Sequence, residues 1–434
     1  MLVSLPLVQV GTVPTPVRFI LPDFLALCLA AAILLDWRQT LSVLSRNGLV
    51  AAASAAAILL CFTTIGASAI SLAWITPHNF QQWVGHDNLV KWSGAPFERA
   101  VIENIRLTQC VSGLLVTLAF VNTSGRLIAA ARWYIAGATI AAAYGCYVWF
   151  AMVTGVDVPV LPGTFPYVHL RRTAATFPEP AAYAGYALTG IVLTAWTLER
   201  CTKERWLLVA LGVQLVAAVT SLSTVVVLGL AAMWAGSFLG RRRKAIAALT
   251  LGGAAAIFIV LTIMPTAVVR RAVDKPFTTH ASWLDRVTAW GAAARMAAEY
   301  PAVGVGAGLY AYNQARFIAP ERSLLNAGGR VNSPALEIAA ESGLLGAIAC
   351  GVILVAASIG AKRAGHGYRG LRATGVVAVL IAGYYTSRYS FLWVYAALLV
   401  AGIFVEDQEP ARSAVTDGEA PCTRSPAPDA SCVF

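Results

Sequence analysis

The densest chemistry-bearing stretch of this 434-residue chain lies between residues 265 and 334, where Arg270, Arg271, Lys275, Arg286, Arg295, Arg316, Arg322 and Arg330 outnumber Asp274, Asp285, Glu299 and Glu321. A planar guanidinium donates two parallel hydrogen bonds that match the oxygens of phosphate. An arginine excess therefore points to a phosphate-type anion. Arg171 and Arg172, ahead of another apolar segment, extend the set. For any single arginine the plainer role is a lipid headgroup or a neighbouring carboxylate; for the cluster as a whole a polyanionic ligand is the better account. At the end of the stretch, Ser333 and Pro334 form a helix opening with proline at the first helical position. Glu337 and Glu341 then share one helix face, with Glu341 about 10 Å along the axis. A carboxylate there either orients and deprotonates a hydroxyl, with its pKa raised, or makes a structural ion pair with a loop arginine.

Local signals organise the same stretch. Ser282 followed by Asp285 resembles a capping box, Trp283 to Glu299 has helix-forming composition, and Pro301 ends it. At about 100° per residue Arg286 shares a face with Trp290 and Ala293, while Arg295 points roughly the opposite way. Only one of them can then face a common site. Gly304, Gly306 and Gly308 follow without the strand that a dinucleotide fingerprint needs. They read as a tight turn at the membrane surface, with an anion-cradling nest as the alternative. His78, His86, His169, His280 and His366 are isolated residues. Of these, His280 is the alternative base, because it precedes the Arg286 helix.

The elements that must position these residues are membrane helices. Hydrophobic residues make up 58% and charged residues 12%, against about 25% charged in a soluble domain. The apolar residues fall into about eleven blocks, and about 20 such residues cross a bilayer core. The expected fold is all-α, a polytopic helical bundle of 10 to 12 spans, near 19–35, 50–73, 105–122, 133–153, 180–198, 206–220, 223–239, 245–264, 335–358, 373–386 and 389–405. A β-barrel is excluded, since stretches such as 51–60 are apolar on every side. Residues 1–264 hold spans one to eight, 265–334 an extracytoplasmic loop, 335–405 the last three spans, and 406–434 a disordered, proline-bearing cytoplasmic tail. Met1 to Arg18, with Pro6, Pro14 and Pro16, is not expected to be a cleaved signal.

Orientation follows from short basic loops: Arg38 and Arg46; Arg126 and Arg132; Arg200, Lys203 and Arg205; Arg241 to Lys244; and Lys362, Arg363, Arg369 and Arg372. The positive-inside rule puts all of them in the cytoplasm, with the amino end outside. The formal charge of +11 thus reports topology rather than nucleic-acid binding. Eight cysteines stand singly, with no C-x-x-C pair to suggest zinc or redox work. No internal repeat suggests the two-fold build of many transporters.

Three stretches, 172–183 (RTAATFPEPAAY), 285–310 (DRVTAWGAAARMAAEYPAVGVGAGLY) and 332–346 (NSPALEIAAESGLLG), together resemble the O-antigen ligase and polymerase superfamily, the Wzy-type polymerases and the lipopolysaccharide O-antigen ligases. The resemblance covers roughly residues 165–350. It implies a GT-C-like glycosyltransferase in the bacterial inner membrane that uses an undecaprenyl-diphosphate-linked oligosaccharide donor and a glycan or lipid-linked glycan acceptor. It further implies inversion at the sugar, no cofactor and no metal, and a polysaccharide chain-length regulator as a candidate partner beside membrane lipids. Carried over, Arg172 and Arg286 match arginines that hold the donor diphosphate, with Arg270 and Arg271 near them. Glu341 matches the acidic residue before the Gly-Leu-Leu-Gly turn. Glu179, Asn332, Glu337 and Arg330 are supporting residues, and Glu179 is also an alternative ion-pair partner for Arg172. Two departures matter: Val331 stands where many members have a histidine before Asn332, and the 220–224 stretch (TSLST) lacks the Ser-Arg often found there. The first favours a polymerase over a ligase.

The chemistry also follows from the residues. A diphosphate leaves easily if fixed guanidinium groups stabilise its charge where water is scarce, and one hydrogen bond to a charged group is worth about 1.5 to 3 kcal/mol. The acceptor hydroxyl then needs orientation and a base. A flippase or transporter for lipid-linked sugars is the competing class, but the spans between Phe19 and Ala73 carry almost no internal charge to line a pathway. A structural scaffold would not need the arginine excess.

Overall fold

The computed structural model describes residues 37–80, 94–156, 180–201, 204–221, 280–318, 333–363 and 390–408, with single residues between them such as Thr173, Ala175, Phe177, Val226 and Val331. Among these residues the chain is all helical. Four helices are long and apolar enough to cross a membrane: Gly48–Phe80, Pro96–Phe120, Ser124–Thr154 and Pro334–Arg363. Shorter apolar helices run over Ala182–Leu198, Trp206–Thr220 and Phe391–Phe404. The spans expected near 19–35, 223–239, 245–264 and 373–386 lie largely or wholly outside the described residues, as does the tail from 409 onward.

In chain order, α1 (Trp37–Ser45) is a short helix in the segment expected to be a basic loop. Asn47 then caps α2 (Gly48–Ile70) by accepting the Leu49 N–H at 2.9 Å. The helix continues through a π-helical turn (Ser71–Ile75) into Thr76–Phe80. At about 1.5 Å per residue this element outruns a bilayer core, and its last turns bond to Asn313 through Thr76 and Asn79. α3 (Pro96–Phe120) begins with proline at its first position, well before the residue 105 that apolar content alone had suggested. The difference is charge: Glu98, Arg99, Glu103 and Arg106 are helical but not apolar. α4 (Ser124–Thr154) starts at Thr123, whose hydroxyl accepts the Arg126 N–H, and stops at Gly155 in a left-handed conformation. α5 (Pro180–Arg200) and α6 (Trp206–Thr220) follow. Next come α7 (His280–Glu299), α8 (Tyr310–Asn313), α9 (Pro334–Arg363) and α10 (Ser390–Val400).

Two packing modes hold the bundle. α2 and α9 run antiparallel through small residues, with Ala53, Ala56, Ala57 and Leu60 buried against the face of α9 that carries Gly346, Ala349, Ile353 and Ala356. Small residues let helix backbones approach, and lipid supplies no competing hydrophobic drive. A Cβ on Gly346 would stand 3.2 Å from Leu60, and one on Gly360 would stand 2.2 Å from the Leu399 carbonyl of α10. The α4, α5 and α6 group is instead tied by polar side chains in an apolar core. Gln214 donates to Thr139 at 3.0 Å and accepts from Thr194 at 3.1 Å, and Tyr134 and Thr189 hydroxyls meet at 2.7 Å. Tyr134, Tyr186, Phe177 and Phe391 stack beside them.

Both ends of the bundle are recognisable. Arg132, at the start of α4, pairs with Glu204 in the α5–α6 loop, so these basic loops share one end. The Thr64–Ser342 contact sets α2 against α9 in antiparallel register, which brings Arg46 and Arg363 to that same end. Glu341 and the glycine turn occupy the other.

Candidate functional site

α7 supplies the first wall. Its sequence pattern reads correctly in length and end: the Tyr300 N–H still bonds to Met296, and Pro301 stops it. Its start is a correction, because the helix is already formed at His280 and Ser282 therefore lies within it rather than capping it. Ala292, Ala293 and Met296 are fully buried against Val305, Val331 and Ala340. Arg286, on the Ala293 face, is half-buried, whereas Arg295 donates through Nε to the Phe317 carbonyl at 2.9 Å. The opposed faces of the two arginines are as the helix period requires, and Arg295 is committed to holding the loop.

The glycine turn closes the site. Gly304, Gly306 and Gly308 have φ of 67°, 88° and 71°, a region that glycine enters at little cost. The turn inserts into α9, which is interrupted at Gly343 (φ 64°, ψ −164°). An interrupted membrane helix frees backbone groups that cannot stay unpaired in lipid. Here the turn satisfies them. Val305 N–H bonds to the Ala340 carbonyl and Gly306 N–H to the Glu341 carbonyl, both at 2.8 Å, and Leu344 N–H reaches the Pro301 carbonyl at 2.7 Å. Ala307 N–H goes to the Ser68 hydroxyl at 2.9 Å, and Gly308 N–H to Glu341 Oε1 at 3.0 Å. The anion-cradling nest is thereby excluded as an open site: its amides are spent on α9 and Ser68, and the carboxylate of Glu341 takes the last. A Cβ at Gly304 would fall 2.6 Å from the Glu341 carbonyl carbon, which is why no side chain fits.

Glu341 is 4% exposed. With Glu337, Thr64, Ser342, Leu60, Leu107, Ile338 and Trp393 it lines a cavity of about 10 Å³, room for about one water molecule. The expected shared face of Glu337 and Glu341 is therefore real, and it looks into a small pocket inside the bundle that Leu60, Leu107, Ile338 and Trp393 line as much as the polar side chains do. Thr64 and Ser342 hydroxyls meet at 2.8 Å at its rim. On the far side of the turn, Arg99, Glu103 and Arg106 of α3 form a charged group that the sequence reading did not contain, and a Cβ on Gly308 would lie 2.7 Å from Glu103 Cγ. Their i, i+4, i+7 spacing was the available signal. The segment after the turn is braced by Asn79, which donates to Asn313 at 2.9 Å and accepts from Arg316, itself paired with Glu299 at 2.6 Å. Burial pushes the Tyr312 phenol up to about 12 against the opposing pull of Arg99, so its hydroxyl stays a donor, to the Gly94 carbonyl at 2.6 Å.

The structure thus brings Glu337 and Glu341 together and sets Arg286 on the helix packed beside them. His280 opens that helix at the end away from Glu299. Arg172, Arg270, Arg271, Glu179, Arg330 and Asn332 lie outside the described residues. Of the 172–183 stretch, Thr173 N–H meets the Thr220 carbonyl at 3.5 Å, joining it to the 220–224 segment. Ala175 takes a positive φ of 49° with its N–H on the Thr173 hydroxyl. Non-glycine residues pay about 1 to 3 kcal/mol for such backbone, a strain that clusters at functional sites.

Fold and site together define a helical membrane protein with an interrupted helix sealed by a glycine turn. The family model for O-antigen ligase matches residues 206–351, which include α6, α7, the turn and the interrupted part of α9, so this part of the chain is similar to that family. A search of curated proteins gives no match to the chain.

Proposed function

We propose that the protein is a membrane glycosyltransferase of the Wzy type, which polymerises repeat units by moving an undecaprenyl-diphosphate-linked glycan onto a sugar hydroxyl at the outer face of the inner membrane. The observation that carries this is the O-antigen ligase match over residues 206–351, because that segment holds α7, the turn and the buried carboxylates that converge at one end of the bundle. In this reading the bundle has about eleven spans in a GT-C-like arrangement, with amino end periplasmic and carboxyl end cytoplasmic. The clustering of Arg46, Arg132, Glu204 and Arg363 at the opposite end supports that orientation.

The proposed reaction is a single displacement. The acceptor oxygen bonds to the anomeric carbon, the bond from that carbon to the diphosphate oxygen breaks, and the diphosphate leaves with the electron pair, inverting the sugar. Arg172, Arg286, Arg270 and Arg271 neutralise the departing charge in place of a metal ion. Glu341 accepts the hydroxyl proton through the cavity it shares with Glu337, and His280 is the second candidate for that role. Glu179, Asn332, Glu337 and Arg330 hold these groups in position. The test is the lipid-linked glycan of a deletion strain: a lost polymerase leaves single repeat units on the carrier. Long chains stranded on the carrier would instead make it a ligase that joins polymer to lipid A core, and untranslocated precursor on the cytoplasmic leaflet would make it a flippase.

A further inference from the structure

Four charges, Glu98, Arg99, Glu103 and Arg106, occupy the first turns of α3, a helix otherwise apolar enough to span a membrane. Charged side chains in such a segment face the bundle or a polar cavity and pair with one another, and they are a sign of ligand binding or transport. Arg99, Glu103 and Arg106 lie on one face. Glu103 is 3% exposed, and its Oε1 alone receives both Arg99 Nη2, at 2.6 Å, and Arg106 Nη1, at 3.1 Å. Within this trio one carboxylate faces two guanidinium groups, and Glu98 in the first turn brings the four charges of these turns to zero, so attraction for an anion rests on the donors of Arg106. Arg106 is 37% exposed and spends one nitrogen on one oxygen. Most of its five donors have no protein acceptor among the described residues.

The cluster is also placed to receive something. It presses on the glycine turn from the side opposite α7: Val305 packs with Ala292 and Ala293, whereas Gly308 abuts Arg99 and Glu103. Gly308 is the residue whose N–H binds Glu341. Phe97, at 66% exposed, and Val101 lie on the outside of the same helix turns, so a ligand anchored in the bilayer could reach the arginines laterally.

We propose that Arg99, Glu103 and Arg106 form a second anion site, which binds phosphate carried on a lipid, with Arg106 as the arginine that turns from Glu103 to the ligand. The link to chemistry rests on the polymerase reading above: a reaction that joins two lipid-diphosphate-linked glycans needs two such sites, one on each side of the carboxylate.

Full-length protein purified in detergent is titrated with farnesyl diphosphate, a soluble polyprenyl diphosphate. Two molecules bind per protein; Arg106→Gln binds one, and Arg106→Lys, which keeps the charge and the Glu103 pair but loses the fork, binds the second about tenfold more weakly. Arg126→Gln at the other end of the bundle changes nothing. If the Arg286 assignment fails but the α3 site is real, wild type binds one molecule and Arg106→Gln none, which separates the two ideas. In nanodiscs, competition by phosphatidylglycerol but not phosphatidylcholine identifies the source as a headgroup; no competition identifies it as the polyprenyl diphosphate. Unchanged stoichiometry and affinity in both Arg106 variants overturn the proposal.

Discussion

The two parts of α9 are built by different rules. From Leu344 to Arg363 the helix is held by shape: exposed Leu345, Ile348, Val352 and Val355 face lipid, while Gly346, Ala349, Ala356 and Gly360 let α2 and α10 approach. From Pro334 to Ser342 it is held by hydrogen bonds, with Ala340 and Glu341 giving their carbonyls to the turn and the Glu341 side chain taking the Gly308 amide. The first kind of packing tolerates change in small steps. The second is close to all-or-none, since an unpaired backbone group in hydrocarbon costs several kcal/mol. Breaking a membrane helix is worthwhile only if the break does something, and here it sets two buried carboxylates beside a small cavity.

The largest effect is expected at the turn. Gly304→Ala would put a Cβ within 2.7 Å of the Ala340 carbonyl oxygen and the Gly343 nitrogen at a φ of +67°, so neither the turn nor the break can keep its geometry. Glycan polymerisation should be abolished and the melting temperature in detergent should fall. The same substitution at Gly351, where a Cβ meets nothing within 4 Å, should leave both measurements at wild type. Equal tolerance at the two positions would dissolve the contrast between the parts of α9.

Glu341→Gln comes next and divides position from chemistry. The amide oxygen can still accept the Gly308 N–H, so the melting temperature should hold, yet the side chain can no longer take a proton. Turnover should drop by about 100-fold or more if Glu341 is the general base. Wild-type turnover in a stable Glu341→Gln protein would reduce Glu341 to a latch for the turn and move the search to His280. A smaller loss is expected for Arg286→Lys, about 10- to 100-fold in activity from removal of the fork. Arg295→Lys should instead lower stability with little effect on turnover, because Arg295 serves the Phe317 carbonyl.

Much of this was legible beforehand, and unevenly. The Ser333–Pro334 opening, the α7 helix with its end before Pro301, and the opposed faces of Arg286 and Arg295 are local consequences of helix period and capping, and they stand. The break at Gly343 was not legible, because glycine in an apolar run is ordinary in membrane helices. What opens the helix is a turn some forty residues earlier in the chain. The α3 cluster was missed for the opposite reason. In a span defined by apolar content a charge marks the edge, which leaves Arg99 and Glu103 outside although their spacing places them on one face.

The smallest effect sharpens the comparison at the boundary between the two parts. Thr64 of α2 meets Ser342 at 2.8 Å, the last side-chain hydrogen bond before the break, and also back-bonds to the Leu60 carbonyl at 2.6 Å. Thr64→Val keeps the volume and removes the hydroxyl. Ser342 can then turn to a carbonyl of its own helix, so no buried donor need be stranded. Interhelical hydrogen bonds in membranes are worth about 0.6 kcal/mol on average, and a loss of that size is expected in reversible unfolding. Because the hydroxyl also rims the Glu337 and Glu341 cavity, turnover is the more informative reading. A loss of activity well beyond that small destabilisation, with the melting temperature nearly unchanged, would show that the cavity takes up a water that is part of the proton path from the acceptor to Glu341. Activity that falls only in step with stability would confine Thr64 to packing and leave the carboxylate to act without the water.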